Sequence, residues 1–176
     1  MTENLKQLNL GYSGEEDRLL LRISTNQNIE HQIWLTRRIV CLLWPIMLEG
    51  IDRQMLSPST ETNLSNRPEI RRELMAMQHE ESLPNVDLMT SYEVPTKKST
   101  MEPLLPSSGQ CSPLAEGGVS LNLKENEGKS INLRLPRELF HGFCYQLINA
   151  TQQADWNLSL KIEGETDVQK PSSFQH

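Results

Sequence analysis

An α+β fold made from two hairpin-plus-helix units is what the hydrophobic pattern of this chain predicts, on three observations. Apolar residues alternate in Leu19, Leu21 and Ile23 and again in Ile33 and Leu35, the period of two that gives a strand one buried face. From Thr36 the spacing becomes helical, through Ile39, Val40, Leu43, Trp44, Met47, Leu48 and Ile51. The succession in Leu19–Ile51 then returns one hundred positions later, in Val119–Thr151.

Before the first hairpin, Leu8, Leu10 and Tyr12 alternate and predict a leading strand that turns at Ser13-Gly14. Thr25-Asn26-Gln27-Asn28 is a polar cluster suited to reversing the chain. Thr36 is a natural helix cap, because its hydroxyl accepts from a first-turn N–H that has no helical partner. In the second copy the strand positions are Val119, Leu121 and Leu123, then Leu133 and Leu135, with Asn126-Glu127-Gly128 as the turn. Pro136 stands where Thr36 stood, a place where its missing N–H costs nothing. The helical stripe becomes Leu139, Phe140, Phe143, Cys144, Leu147 and Ile148, and only Thr151, opposite Ile51, breaks it. Equal turn lengths alone would align two such units, so the match predicts a repeated structural unit and leaves ancestry open.

The two helices differ in their backs. The second has His141, Gln146 and Gln152 off its stripe, whereas the first has Cys41, Leu42, Pro45 and Ile46, giving an apolar run from Ile39 to Leu48. Such a helix is normally buried on more than one side. The run is far short of the roughly 20 residues that span a bilayer. Leaving its extra face in water forfeits about 1.5–3 kcal/mol for each large side chain. Something should therefore cover it, from within the chain or from a partner, and Cys41, Leu42, Pro45 and Ile46 are the candidate protein interface. Pro45 should kink or loosen the helix by removing a backbone donor.

The resulting division is a first β-β-β-α unit over 4–56, a linker over 57–103 and a second β-β-α-β unit over 104–162, with a polar tail over 163–176. The units are expected to share one antiparallel sheet, or two facing ones, with the helices on one side. Within the linker, Asn66-Arg67-Pro68 starts a short helix to Ser82, with Ile70, Leu74 and Met77 as a narrow stripe. Pro84, Pro95, Pro103, Pro106 and Pro113 punctuate a Pro/Ser-rich stretch up to Gly118, where Leu104–Cys111 is the candidate leading strand of the second unit. Trp156, Leu158, Leu160 and Ile162 alternate and predict a last strand.

A chain of 176 residues fits one domain or two small units sharing a core, and 36% apolar content leaves room for loops. The formal net charge of -6 argues against broad binding to nucleic acid or an anionic membrane, where a basic face is expected. Met1-Thr2-Glu3-Asn4 has neither the basic start nor the apolar core of a signal peptide. Three widely spaced cysteines fit reduced thiols, so a cytoplasmic protein is expected.

No constellation of catalytic type emerges. Gly11-Tyr12-Ser13-Gly14 lacks the spacing of a nucleophile elbow and reads as a hairpin turn. His141 and Cys144 share a helix, but no second pair completes a metal site, and Cys144 belongs to the apolar stripe. His79-Glu80-Glu81 is not H-E-x-x-H, since Leu83 stands at the second histidine position, and His31 has no identifiable acid. No phosphate loop or dinucleotide fingerprint occurs, and no cofactor or metal is expected.

The leading expectation is a non-enzymatic protein-binding module, of adaptor, chaperone-like or regulatory type, with another protein or a second copy as partner. The alternative is a single-stranded nucleic-acid binder using Arg18, Arg22, Trp34, Arg37 and Arg38, since sheet faces with exposed aromatics and arginines bind strands by stacking and phosphate contact. At fold level alone, a duplicated strand-rich unit with a helix resembles the PUR and Whirly class; no residue motif names a family.

Overall fold

Three strands open the fold: β1 (Leu5–Ser13), β2 (Arg18–Thr25) and β3 (Ile29–Leu35), antiparallel and in chain order. The computed structural model describes residues 5–55, 77, 81, 92–100, 102–126 and 128–162. Leu8, Leu10 and Tyr12 of β1 stand opposite Ile23, Leu21 and Leu19 of β2, so alternation on both strands makes one apolar face. Asn28 adopts φ 61° in the turn to β3, and its N–H donates to the Thr25 carbonyl at 3.0 Å. Helix α1 (Arg37–Met55) follows β3 directly.

The chain then returns to the outer edge of β3. β4 (Lys97–Lys98) pairs with it in parallel, and further on the Leu104 N–H donates to the Gln32 carbonyl at 2.8 Å while its own carbonyl accepts from Trp34 at 2.7 Å. β5 (Ser108–Pro113), β6 (Val119–Lys124) and β7 (Ser130–Leu135) form a second, antiparallel sheet, followed by α2 (Arg137–Gln153). The leading strand expected at Leu104–Cys111 thus lies slightly later, and both Leu19–Leu48 and Val119–Ile148 run strand, strand, helix.

The fold is α+β, and of the two arrangements expected, one shared antiparallel sheet or two sheets, the chain forms two, of four and three strands, with a parallel pairing at the edge of the first. The edges of the first sheet are already engaged, which is the physical reason. Beside the bonds along β3, the Leu10 N–H of β1 donates to the Gln146 side-chain oxygen on α2 at 2.9 Å. One apolar core nevertheless unites both sheets and both helices, with Leu19, Leu21, Ile33 and Leu35 from one sheet and Val119, Leu121, Leu123 and Leu133 from the other. The helices cross between the halves: α1 lies against β5, and α2 lies against β1.

The last strand expected over 156–162 does not form. Asp155 and Asn157 both adopt positive φ, 51° and 52°, and the Leu160 N–H closes on the Leu158 carbonyl at 2.9 Å, a tight turn that excludes a ladder. The alternating residues dock on the core instead, with Trp156 and Ile162 buried. Of the helix expected over 68–82, only Met77 and Glu81 fall within the described residues, and both are helical.

A clasp joins this last segment to the β1–β2 turn. The Trp156 indole N–H donates to Asp17 Oδ1 at 2.9 Å, and the Tyr12 hydroxyl donates to the same oxygen at 3.0 Å. The two rings meet edge to face at 6.4 Å. These hydrogen bonds, the indole's first, hold the Asp17 carboxyl below its usual range, with Arg37 adding a smaller attraction. A folded value below the unfolded one stabilises the fold above about pH 4, and that gain is lost as pH falls through the lower, folded value. Asp17→Asn keeps a residue that tolerates the φ of 46° and removes the charge. The gap in denaturation midpoint between wild type and Asp17→Asn is therefore expected to be widest near neutral pH and to close in acid. A gap that stays constant into the acid range would contradict the clasp.

Candidate functional site

Helix α1 takes its phase from its first turn and from the strand it meets. The Thr36 hydroxyl accepts from the Ile39 N–H at 3.3 Å, and the Thr36 carbonyl from the Val40 N–H at 3.0 Å. Ile39, Val40, Leu43, Trp44 and Met47 then turn inward and are buried. Close approach to β5 depends on two glycines. A methyl at Gly109 would fall on the Leu43 side chain, and one at Gly50 would lie 2.9 Å from Cys111 Sγ.

With that phase set, Arg38, Cys41, Leu42, Pro45 and Glu49 all face outward and are exposed, and Ile46 sits half-buried at the margin. Leu42 is 47% exposed. The extra apolar face of α1 is thus open to solvent, where the sequence pattern called for a cover. Pro45 lies inside the continuous helix on this outer face, and the carbonyl that its missing N–H leaves unpaired belongs to exposed Cys41, within reach of water. The other helix is the more enclosed of the two. His141, expected on a polar back, is buried with its ring 6.0 Å from that of Phe140, and Gly142 is buried beside it.

The basic and aromatic candidates occupy separate places. Arg18, which pairs with Glu16 at 3.3 Å, and Trp34 line an open groove of about 510 Å³ with Pro103, Leu104 and Lys129; Glu102 and Glu125 line it too. Arg22 is engaged elsewhere: its guanidinium donates to Asn9 Oδ1 at 3.1 Å and lies 5.0 Å from the Tyr92 ring centre. Arg37 lies near Asp17, and Arg38 belongs to the outer face of α1.

Tyr92 is a residue that sequence reasoning missed. Its segment crosses the outer face of the first sheet, where the Glu93 N–H donates to Gln7 Oε1 at 3.2 Å and Lys6 pairs with Glu93 at 2.6 Å. The Tyr92 hydroxyl donates to Glu30 Oε1 at 3.1 Å, and Gln32 Nε2 to Glu30 Oε2 at 2.7 Å, so the buried Glu30 carboxylate is bonded at both oxygens. Burial first, and then the neighbouring Glu30 charge, push the Tyr92 phenol above its ordinary value. The one available signal was the phase of Glu30, opposite to Ile33 and Leu35; nothing local pointed to position 92.

Ser13 sits at the β1–β2 hairpin, its hydroxyl accepting from the Glu16 N–H at 3.4 Å. Among the described residues no three potential metal ligands gather. Cys41 is exposed, whereas burial pushes the Cys111 thiol up to about 11 and raises that of fully enclosed Cys144 as well. His79 and Glu80 lie outside the described residues. Among the described residues, no helix is long and apolar enough to cross a membrane. No family model, no curated protein and no solved structure matches this chain.

Proposed function

We propose that this chain is a non-enzymatic protein-binding module, of adaptor, chaperone-like or regulatory type, that docks its partner on the outer face of α1. Cys41, Leu42 and Pro45 form the centre of the surface and Ile46 its edge. The observation that carries the reading is the exposure of Leu42, 47%, between two other exposed apolar residues of one helix face. An apolar cluster on a rigid element, rimmed by charge at Arg38 and Glu49, has the composition of a protein contact. The matching order of strand, strand and helix in both halves supports a repeated unit as the scaffold, with α1 as the half adapted for binding.

Leu42→Glu tests the reading, because a charge on an exposed face leaves the core intact but is costly in a dry contact. Tagged wild-type chain in its native host is expected to retain a partner that Leu42→Glu loses by tenfold or more (about 1.4 kcal/mol), with the circular dichroism of the two unchanged. Equal recovery by both, or unfolding of the variant, would place Leu42 outside any docking surface.

A second reading, a single-stranded nucleic-acid binder, keeps support from one observation: Arg18, Trp34 and Lys129 share a groove. Glu102 and Glu125 in the same groove and the net charge of -6 weigh against it. Phosphate contacts release counterions, so such binding would weaken steeply with salt and fall on changing Arg18 and Trp34 to Ala. No retardation of single-stranded DNA or RNA at low salt is the expected result; steeply salt-dependent retardation would favour this second reading.

A further inference from the structure

We infer that the partner docked on α1 is a second copy of this chain, the two helices meeting antiparallel about a two-fold axis that passes between Leu43 and Trp44. The inference rests on the α1 face being a docking surface and adds the occupant and its orientation.

The spacing of the face comes first. Arg38, Leu42, Pro45 and Glu49 are exposed and follow one another at intervals of four, three and four residues. Side chains at those intervals form a straight seam along a helix, the spacing by which two helices pair over their length. The stretch from Arg38 to Glu49 is about 16 Å long at 1.5 Å per residue.

The order of residues along that seam is complementary to its own reverse. In a two-fold contact each residue that meets a second is met by it in turn. Turned end for end, the seam sets Arg38 against the partner's Glu49 and Leu42 against the partner's Pro45, so cation meets anion at both ends and apolar meets apolar at the centre. A parallel pairing would oppose Arg38 to the partner's Arg38 and Glu49 to the partner's Glu49, which like charges refuse.

The start of α1 supplies an independent reason. Its first turn holds Arg37 and Arg38 and no acid, the reverse of what the helix dipole favours. Arg37 has a neighbouring carboxylate in Asp17. Arg38, one residue further round, points out with Cys41 and Leu42, where the partner's Glu49 brings a negative charge to the helix start.

One helix face is smaller than the roughly 1,200–2,000 Å² of a standard interface, so the dimer is expected to be reversible. Sedimentation of the full chain over a concentration series reads it. Wild type should pass from monomer to dimer as concentration rises. Arg38→Glu and Glu49→Arg should each weaken the dimer by roughly tenfold, since each turns two pairs per dimer from attraction to repulsion. The double variant Arg38→Glu/Glu49→Arg should return to within a few-fold of wild type. Both positions are exposed, and because Glu49 also has an interaction within its own chain, the circular dichroism and denaturation midpoint of each variant are read beside its dimer constant.

Wild type that stays monomeric into the millimolar range overturns the inference, as does a dimer indifferent to the single reversals or not restored by the double one. The two readings separate cleanly. A monomeric chain that still retains a different protein through Leu42 loses the self-pairing and keeps the docking face, whereas a monomer that retains nothing loses both.

Discussion

The close approach of α1 to β5 is the contact on which the rest of the structure depends. Each helix follows one sheet in sequence and lies against the leading strand of the other, α1 on β5 and α2 on β1, so both sheets bury their apolar faces in one core. Without that exchange a three-stranded sheet would keep its apolar face wet, since few strands and one helix exclude little water. Gly50 and Gly109 leave the room that Leu43 and Cys111 fill, and this fit fixes the rotation of α1 about its axis. Once Leu43 and Met47 point inward, geometry at 100° per residue turns Leu42 and Pro45 out. The candidate interface is therefore a consequence of the core.

Much of the fold was legible because it is written locally. Alternation in Leu19–Ile23 and Val119–Leu123, the turn at Asn28, the cap at Thr36 and the helical stripes all depend on neighbours within a few residues, and all appear where the pattern placed them. The choice between one shared sheet and two was not legible, because it depends on what occupies a strand edge. Nothing in Gln146 announces that it will bond the Leu10 N–H, and nothing in Leu104 announces that it will lie along β3. The alternation at Trp156–Ile162 misled for the same reason: burial from docking leaves the imprint that burial in a sheet leaves, and the positive φ at Asp155 and Asn157 together with the Leu158–Leu160 turn separate them.

The candidate site was half legible. Cys41, Leu42, Pro45 and Ile46 could be picked out as apolar excess, because excess is a count along one helix. Whether that excess faces a neighbour or water depends on crossing angles and on the other helix, which periodicity does not encode. The enclosure of His141 and the openness of Leu42 reverse the contrast drawn from composition. The Arg and Trp set dispersed because its members lie on different faces: Arg22 beneath Tyr92, Arg38 on the outer side of α1, and Arg18 with Trp34 in the groove.

The central claim is that the outer face of α1 pairs with a second copy of this chain, and Cys41 lies on that face. Among the three thiols it is the exposed one, while Cys111 and Cys144 are slowed by burial and raised thiol values. The direct measurement is the rate at which Cys41 reacts with a maleimide reagent as protein concentration is raised, with the site of labelling read by mass spectrometry. A covered face slows the reaction as the chain associates, and Leu42→Glu restores the fast rate. A rate that is the same at every concentration, and the same in the variant, would contradict the claim.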